Sequence, residues 1–466
     1  MSAAVQPERP RRLVALVDCR AFYVSCERVF QPRLARAPVV VLSNNDGCVI
    51  ARSAEAKAAG VRMGAPYFQE KARLAEIGCR VFSSNYTLYA DMSRRVMATL
   101  ETFTPDVEVY SIDEAFLSIP TPPGTPAHAR AAVEAWGRTV AARVQQWTGI
   151  PVRVAVATTK TLAKAASKRA DARERMGDGA VHCLWGDPDA AAFLDALPVT
   201  DVWGVAARSA ARLPETAQTA GRFAALPDQI IRQRVGVVGL RTAYELRGVS
   251  CLPLDRCPAP RRSLVRSRSF GVPITDAAAI HEAVATHAAR ASEKLRAEGL
   301  AAGAVGAFVS TKGYGPGPHR SASHVVALGY ATNRSAEILH AARAALARAH
   351  VAADRAGRPF RYRKAGVTLW DLAPAAPEQG HLFRPPAPEQ DRLHEALDAL
   401  NRRFGRRTVF FAAMGTTPRS ASPAGLAAAP DPAWAMRRAL CSPRYTTHWN
   451  ELVAVGGRMR PVASGQ

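Results

Sequence analysis

Residues 107–119 read Val107-Glu-Val-Tyr-Ser-Ile-Asp-Glu-Ala-Phe-Leu-Ser-Ile119. Val107, Val109 and Ser111 alternate with Glu108, Tyr110 and Ile112, and an apolar run follows two adjacent acids. The pattern predicts a β-hairpin with Asp113 and Glu114 at or beside its turn. Downstream, Ala127–Trp147 is helical, Val152–Ala157 is a strand, and a basic helix starts at Lys160. Upstream, Leu13–Val17 is a short apolar strand ending at Asp18, and Asn85 caps a helix whose apolar face is Leu88, Met92, Val96 and Leu100. Taken together the order is β-α-β-β-α-β, the split βαβ sandwich. Its first and third strands lie side by side, which brings Asp18 to Asp113 and Glu114. The segment between the first strand and the first helix is then an insertion of about one small domain.

Three carboxylates meeting in this way repel unless a cation neutralises them, and a divalent metal does so best. Two metals sharing such ligands suit an in-line phosphoryl displacement. From spacing alone a plainer reading stays open: Asp18 caps a helix, and Asp113–Glu114 is a solvated turn.

Composition narrows the class. The 466 residues carry a formal charge of +23, and 48% are hydrophobic. That is enough apolar matter for roughly three domains, or four, and the basic excess points to a polyanion. Apolar runs such as Val39–Leu42 are far shorter than the ~20 residues that span a bilayer. The N-terminal apolar stretch stops at Asp18, too early for a signal peptide. Eight scattered cysteines show no CxxC pair, which favours free thiols in a cytoplasmic location. Further along, Ala21–Phe30 is helical, Pro38–Ser43 is a strand, and Ser53 caps a short helix ending at Gly60. Pro188–Leu246 is helical, Pro253–Pro260 is a linker, and Ser263–Leu372 reads strand, helix, strand, strand, helix, strand. After Pro374 the chain turns Pro-rich and polar, and Thr416–Pro432 is an Ala/Pro/Ser tract.

Four segments resemble the Y-family, the translesion DNA polymerases, in its UmuC-like branch. They are Asp18-Cys-Arg-Ala-Phe-Tyr23, Ser43-Asn-Asn-Asp-Gly-Cys-Val-Ile-Ala-Arg52, Ser83-Ser-Asn-Tyr86 and Tyr110-Ser-Ile-Asp-Glu-Ala-Phe116. Ser267-Arg-Ser-Phe-Gly271 and Ser442-Pro-Arg-Tyr-Thr-Thr447 are similar to later parts of the same proteins, so the resemblance runs from about Leu13 to Val455. It implies an α+β, right-hand polymerase with a split βαβ (ferredoxin-like) palm, small fingers, helical thumb, α+β little finger and an extended C-terminal tail. The expected boundaries are 11–21 and 86–186 for the palm and 22–85 for the fingers. The thumb, a degenerate helix-hairpin-helix, is expected at 187–250, the little finger at 262–372 and the tail at 373–466.

The resemblance also implies roles. Asp18, Asp113 and Glu114 would be the catalytic, metal-ligating carboxylates, with the backbone carbonyl of Cys19 completing a shell around two Mg²⁺ ions, or Mn²⁺ as a substitute. Tyr23 would be the steric gate, its ring beneath the incoming sugar, where a 2′-hydroxyl collides. Phe22, Arg52 and Lys57 would contact the nucleotide, the two cations on its triphosphate. Arg266, Arg268 and Ser269 would hold template phosphates without reading sequence. Gln379, Leu382 and Phe383 of Gln379-Gly-His-Leu-Phe383 resemble the motif that docks on a sliding clamp. Residues 431–455 resemble a region that engages a UmuD′-like subunit and a recombinase filament. The implied substrates are primer-template DNA and dNTPs, with error-prone synthesis past damaged bases in the SOS response, and no membrane.

Three departures stand out. A second triphosphate lysine is expected seven residues after Lys164, where this chain has Asp171. Arg20 stands where relatives carry an acid or amide. The thumb hairpin Trp203-Gly-Val-Ala206 ends in alanine, with Pro214 where a helix is expected. The rivals are a catalytically weak or inactive member acting as a clamp and recombinase adaptor, and a basic DNA-binding scaffold with no active site.

Overall fold

The computed structural model describes residues 10–176, 179–256, 259–313, 317–375, 388–405, 407–415 and 432–453. Two compact units divide the chain. One holds Met1–Ser43, Cys48–Pro258 and Leu440–Gln466; the other holds Asn44–Gly47 and Ala259–Ala439.

In the first unit a five-stranded sheet has the order Val107–Val109, Glu114–Pro120, Arg12–Cys19, Val152–Ala157, Val181–Cys183. The strand Arg12–Cys19 is central and antiparallel to both neighbours. The expected adjacency of first and third strands is therefore present. Side chains on a strand alternate between faces, and both faces here are covered. Leu13, Ala15 and Val17 pack against helices Tyr86–Glu101 and Pro126–Thr148. Leu16, with Phe116 and Ala155, packs against helix Lys160–Arg175 and the helical segment that follows. Asp18 has the parity of Leu16, so it is delivered to the side of the sheet that carries helix Lys160–Arg175.

Local signals explain the element ends. Asn85 accepts from the amide of Leu88 and caps Tyr86–Glu101; Ser53 accepts from the amide of Ala56 and caps Ala54–Ala58. A separate three-stranded sheet is ordered Val49–Arg52, Val39–Leu42, Arg80–Ser83, and its middle strand is wholly buried. In the helical segment Gly204 takes φ 90, a left-handed conformation that favours glycine. Ala206 sits at φ −79 as the residue before helix Ala207–Ala210, so alanine there carries no backbone strain. Pro214 leads into a single 3₁₀ turn, Glu215–Ala217, rather than a helix. The stretch expected as a linker is tied down as far as Arg256. Lys160 Nζ donates to the Pro253 carbonyl at 2.9 Å, and Arg256 pairs with Asp106 at 2.5 Å.

The second unit is a four-stranded antiparallel sheet ordered Ser321–Thr332, Leu300–Thr311, Tyr362–Pro374, Ser263–Ile274. Helices Ala277–Ala297 and Ser335–Ala349 cover one face, through Val305, Ala307, Val367 and Leu369 of the sheet. The order of elements is the one predicted. The polar stretch after Pro374 holds a helix that sequence patterning did not indicate, Pro388–Phe404. Asp398 on that helix forms a two-pronged pair with Arg296, at 2.7 and 2.9 Å. Its stability comes from such tertiary contacts, whereas the prolines preceding it dominate the local sequence signal.

Candidate active site

Asp18 and Glu114 are directly opposed across the Arg12–Cys19/Glu114–Pro120 ladder. Directly opposed side chains on one face lie ~4.5–5.5 Å apart at Cβ. The turn between the hairpin strands carries Asp113, whose carbonyl accepts from the Cys19 amide at 2.8 Å. Ser111 shapes the turn, its hydroxyl donating to Asp113 Oδ1 at 2.5 Å and accepting from the Glu114 amide at 3.1 Å. The three acids thus gather at one end of the sheet for backbone reasons.

Cations already attend them. Arg153, the partner of Asp18 on the other flanking strand, donates to Asp18 at 3.2 Å. It also reaches Asp171 and Glu174, each at 3.1 Å. Lys164 Nζ lies 2.7 Å from both Glu114 oxygens and 4.5 Å from the centre of the Tyr110 ring. Burial, opposed by Arg153 and reinforced by the Glu114 and Asp113 charges, pushes the Asp18 carboxyl up to about 7. Among the described residues, no three His, Cys, Asp or Glu side chains close into a ligand cage. The donor set nevertheless fits a hard divalent cation, being carboxylate oxygen with a backbone carbonyl at hand. A carboxylate held this far above its ordinary range by burial and like charge gains from any added positive charge.

An open cleft of about 950 Å³ runs beside this end of the sheet. Asp18, Cys19, Phe22, Tyr23, Arg52, Lys57 and Asp113 all line it, which brings together the catalytic and nucleotide-contacting residues expected from sequence, Glu114 excepted. Glu114 is turned to Lys164. Phe22 is buried, its ring 5.8 Å from that of Tyr23. Lys57 is exposed on its short helix, and the Arg52 guanidinium donates to the Val61 carbonyl. Arg20 and Asp171, the two departures, also line the cleft, but each is paired: Arg20 with Glu174 at 2.6 Å and Asp171 with Arg153. Arg153 was missed in the sequence. The only signal was a lone arginine at the strand position that faces Asp18.

The remaining expected residues lie elsewhere. Arg266, Arg268 and Ser269 are on the edge strand Ser263–Ile274 of the second unit. Both arginines are exposed and share strand parity with buried Leu264 and Phe270, the helix-covered side; Ser269 faces the other side with Lys364 opposite. Gln379, Leu382 and Phe383 fall outside the described residues, as does most of the Thr416–Pro432 tract.

Residues 17–168 match the model of the impB/mucB/samB family, and residues 261–382 match that family's C-terminal domain. Protein UmuC of Salmonella typhimurium is 41% identical over 95% of this chain and 100% of its own length. The chain belongs to the impB/mucB/samB family. Protein ImpB of the same species is 40% identical over 94% of the chain and 99% of its own. A Y-family DNA polymerase chimera superposes with a TM-score of 0.58 at 18% identity, covering 77% of this chain and 99% of that one, which shows the shared fold. As a UmuC-like member of the Y-family, the chain is an error-prone translesion DNA polymerase. A third match, residues 391–455, is to a domain of unknown function. No helix among the described residues of this impB/mucB/samB chain is long and apolar enough to cross a membrane.

Proposed function

We propose that the cleft beside Asp18 is where this polymerase joins each nucleotide to the primer. The observation that carries the reading is the register. Asp18 faces Glu114 across one rung, with Asp113 in the adjoining turn, at the mouth of a cleft also lined by Arg52 and Lys57. Asp18, Asp113, Glu114 and the Cys19 carbonyl would hold two Mg²⁺ ions, or Mn²⁺. Bound there, such ions supply positive charge to the attacking and leaving oxygens of an in-line displacement.

The chain's own groups do the rest. Lys57 and Arg52 neutralise the triphosphate, so that negative charge moving onto the departing pyrophosphate is stabilised. The primer 3′-oxygen forms the new bond to the α-phosphorus as the α–β bridging P–O bond breaks, the hydroxyl proton passing to water and pyrophosphate departing. Phe22 and Tyr23 form the floor under the sugar, where Tyr23 excludes a 2′-hydroxyl by collision. Residues 11–21 and 86–186 act as palm, 22–85 as fingers, 187–250 as thumb and 262–372 as little finger. Arg266, Arg268 and Ser269 hold the template backbone, a contact that positions DNA without reading it. In residues 373–466, Gln379, Leu382 and Phe383 dock on a sliding clamp, and residues 431–455 meet a UmuD′-like subunit and a recombinase filament in the cytoplasm.

The test is single-nucleotide primer extension on undamaged and abasic templates, with and without clamp, UmuD′-like subunit and activated recombinase filament. Asp113→Ala with Glu114→Ala should abolish incorporation and leave DNA affinity within about twofold, since neither acid touches the template in this reading. Continued incorporation by the double variant would remove the metal assignment. The pairing of Arg153 with Asp18 and Lys164 with Glu114, together with the Arg20 and Asp171 departures, supports the adaptor reading. A parent chain that binds DNA and clamp but never incorporates would favour that reading.

A further inference from the structure

Leu440–Thr447 lies inside the region matched by the model of a domain of unknown function, and it is built into the first unit. Leu440 exchanges two bonds with Ser83: its carbonyl accepts from the Ser83 amide and its amide donates to Ser83 Oγ, both at 3.0 Å. Asn85 Nδ2 donates to the Ser442 hydroxyl and the Pro443 carbonyl, each at 3.0 Å. Tyr445 is buried in the main core, stacked on Phe30 with centroids 4.4 Å apart, and Gln31 donates to its hydroxyl at 3.1 Å. Thr446 Oγ1 donates to Asp91 at 3.0 Å.

The most consequential contact is at Glu27, a fully buried carboxylate on the helix that carries Tyr23. Two hydroxyls donate to Glu27 Oε1: Ser442 at 2.9 Å and Tyr89 at 2.7 Å. Tyr89 is also fully buried, and its ring lies nearly parallel to that of Tyr23, 4.5 Å between centroids and 17° between planes. A continuous chain of contact therefore runs from Ser442 through Glu27 and Tyr89 to the Tyr23 ring.

We infer that residues 440–447 are a strap of the catalytic unit, and that Ser442, through Glu27 and Tyr89, is a positioning residue for sugar selection by Tyr23. The inference rests on Tyr23 being the sugar gate. A gate that works by collision discriminates only while its ring is held to within ~0.5 Å. Tyr89 is the surface that holds it, and a buried carboxylate with two donors pins Tyr89. Glu27 Oε2 is buried without a hydrogen-bond partner, so Oε1 carries both donors, and removing Ser442 leaves the carboxylate on a single hydrogen bond that Tyr89 must move to compensate.

The experiment uses the full chain on primer-template DNA. It compares dNTP and rNTP affinity on a dideoxy-terminated primer, and their incorporation ratio on an ordinary primer. Tyr23→Ala serves as the reference. Ser442→Ala and Tyr89→Phe should each raise the ribo-to-deoxy ratio about fivefold, the effect of about one hydrogen bond. Ser442→Thr, which keeps the hydroxyl, should stay near the parent. If Tyr23→Ala shifts the ratio and Ser442→Ala does not, the strap has no positioning role. Loss of both nucleotides in equal proportion in Ser442→Ala would likewise reduce the strap to scaffolding. If Tyr23→Ala itself leaves the ratio unchanged, the gate reading fails and the inference falls with it.

Discussion

Arg153 and Asp18 face each other across one rung of the central sheet, with 3.2 Å between guanidinium nitrogen and carboxylate oxygen. The same guanidinium serves Asp171 and Glu174, so one cation holds three acids. Arg153→Met should remove the guanidinium from Asp18, Asp171 and Glu174 together, although Glu174 keeps Arg20 at 2.6 Å, and cost about 3 kcal/mol of stability. Urea denaturation would read this as a lower midpoint, partly restored by adding Asp171→Asn. An unshifted midpoint would mean the acids are independently solvated.

Lys57 is exposed at the cleft and is assigned to the triphosphate. Lys57→Ala should raise the KM for dNTP about tenfold, the effect of one charge-assisted contact, with a smaller change in kcat. Steady-state incorporation measures both. Equal KM in variant and parent would place the triphosphate elsewhere.

Burial pushes the Glu27 carboxyl up to about 7, against the hydrogen bonds from Tyr89 and Ser442. Its ordinary value in the unfolded chain is 4.5, so the folded state binds the proton more tightly. The resulting stability is complete below pH 4.5 and is lost as pH rises through about 7. Unfolding midpoints taken from pH 5 to 8 should fall more steeply for the parent than for Glu27→Gln, which cannot ionise. Parallel slopes would show that Glu27 does not titrate in this window.

Gly137 lies on the buried face of helix Pro126–Thr148, where an added Cβ would stand 2.7 Å from Val181 Cγ1 and 3.3 Å from Val154 Cγ1. Gly137→Ala should cost about 1–3 kcal/mol by overpacking, despite the better helix propensity of alanine. A rise in the thermal midpoint would show that the strands give way freely.

Gln379, Leu382 and Phe383 are assigned to the clamp from sequence alone. Replacing all three by alanine should remove clamp stimulation of primer extension and leave clamp-free synthesis at the parent's level. Undiminished stimulation would make the motif an ordinary connecting segment.

The sheet and its carboxylates were legible because strand periodicity is local. The alternation in 107–119 fixed the hairpin, and the parity of Asp18 with Leu16 followed from the pleat. Caps at Ser53 and Asn85 were legible for the same reason, since a cap and the amide it serves are three residues apart. What escaped reading depends on pairs distant in sequence. Arg153 acquires its meaning only by standing opposite a residue 135 positions earlier. The helix Pro388–Phe404 is secured by Arg296, 102 residues before Asp398. The motif Ser442–Thr447 was visible, but nothing in its composition indicates a seat on Phe30 and Glu27.

Ser442 follows Glu27 by 415 residues. At about 5–20 residues per second of synthesis, the second hydroxyl on that buried carboxylate arrives about 20–80 s after the carboxylate itself. Throughout that interval the nascent chain already possesses Asp18 and Tyr23, and then Asp113 and Glu114, while the strap is still untranslated. A product released early by a stalled ribosome or a frameshift therefore carries the three acids proposed to hold metal and lacks the strap proposed to steady Tyr23. Translation order makes the strap a late mark of completeness on an enzyme that copies damaged DNA.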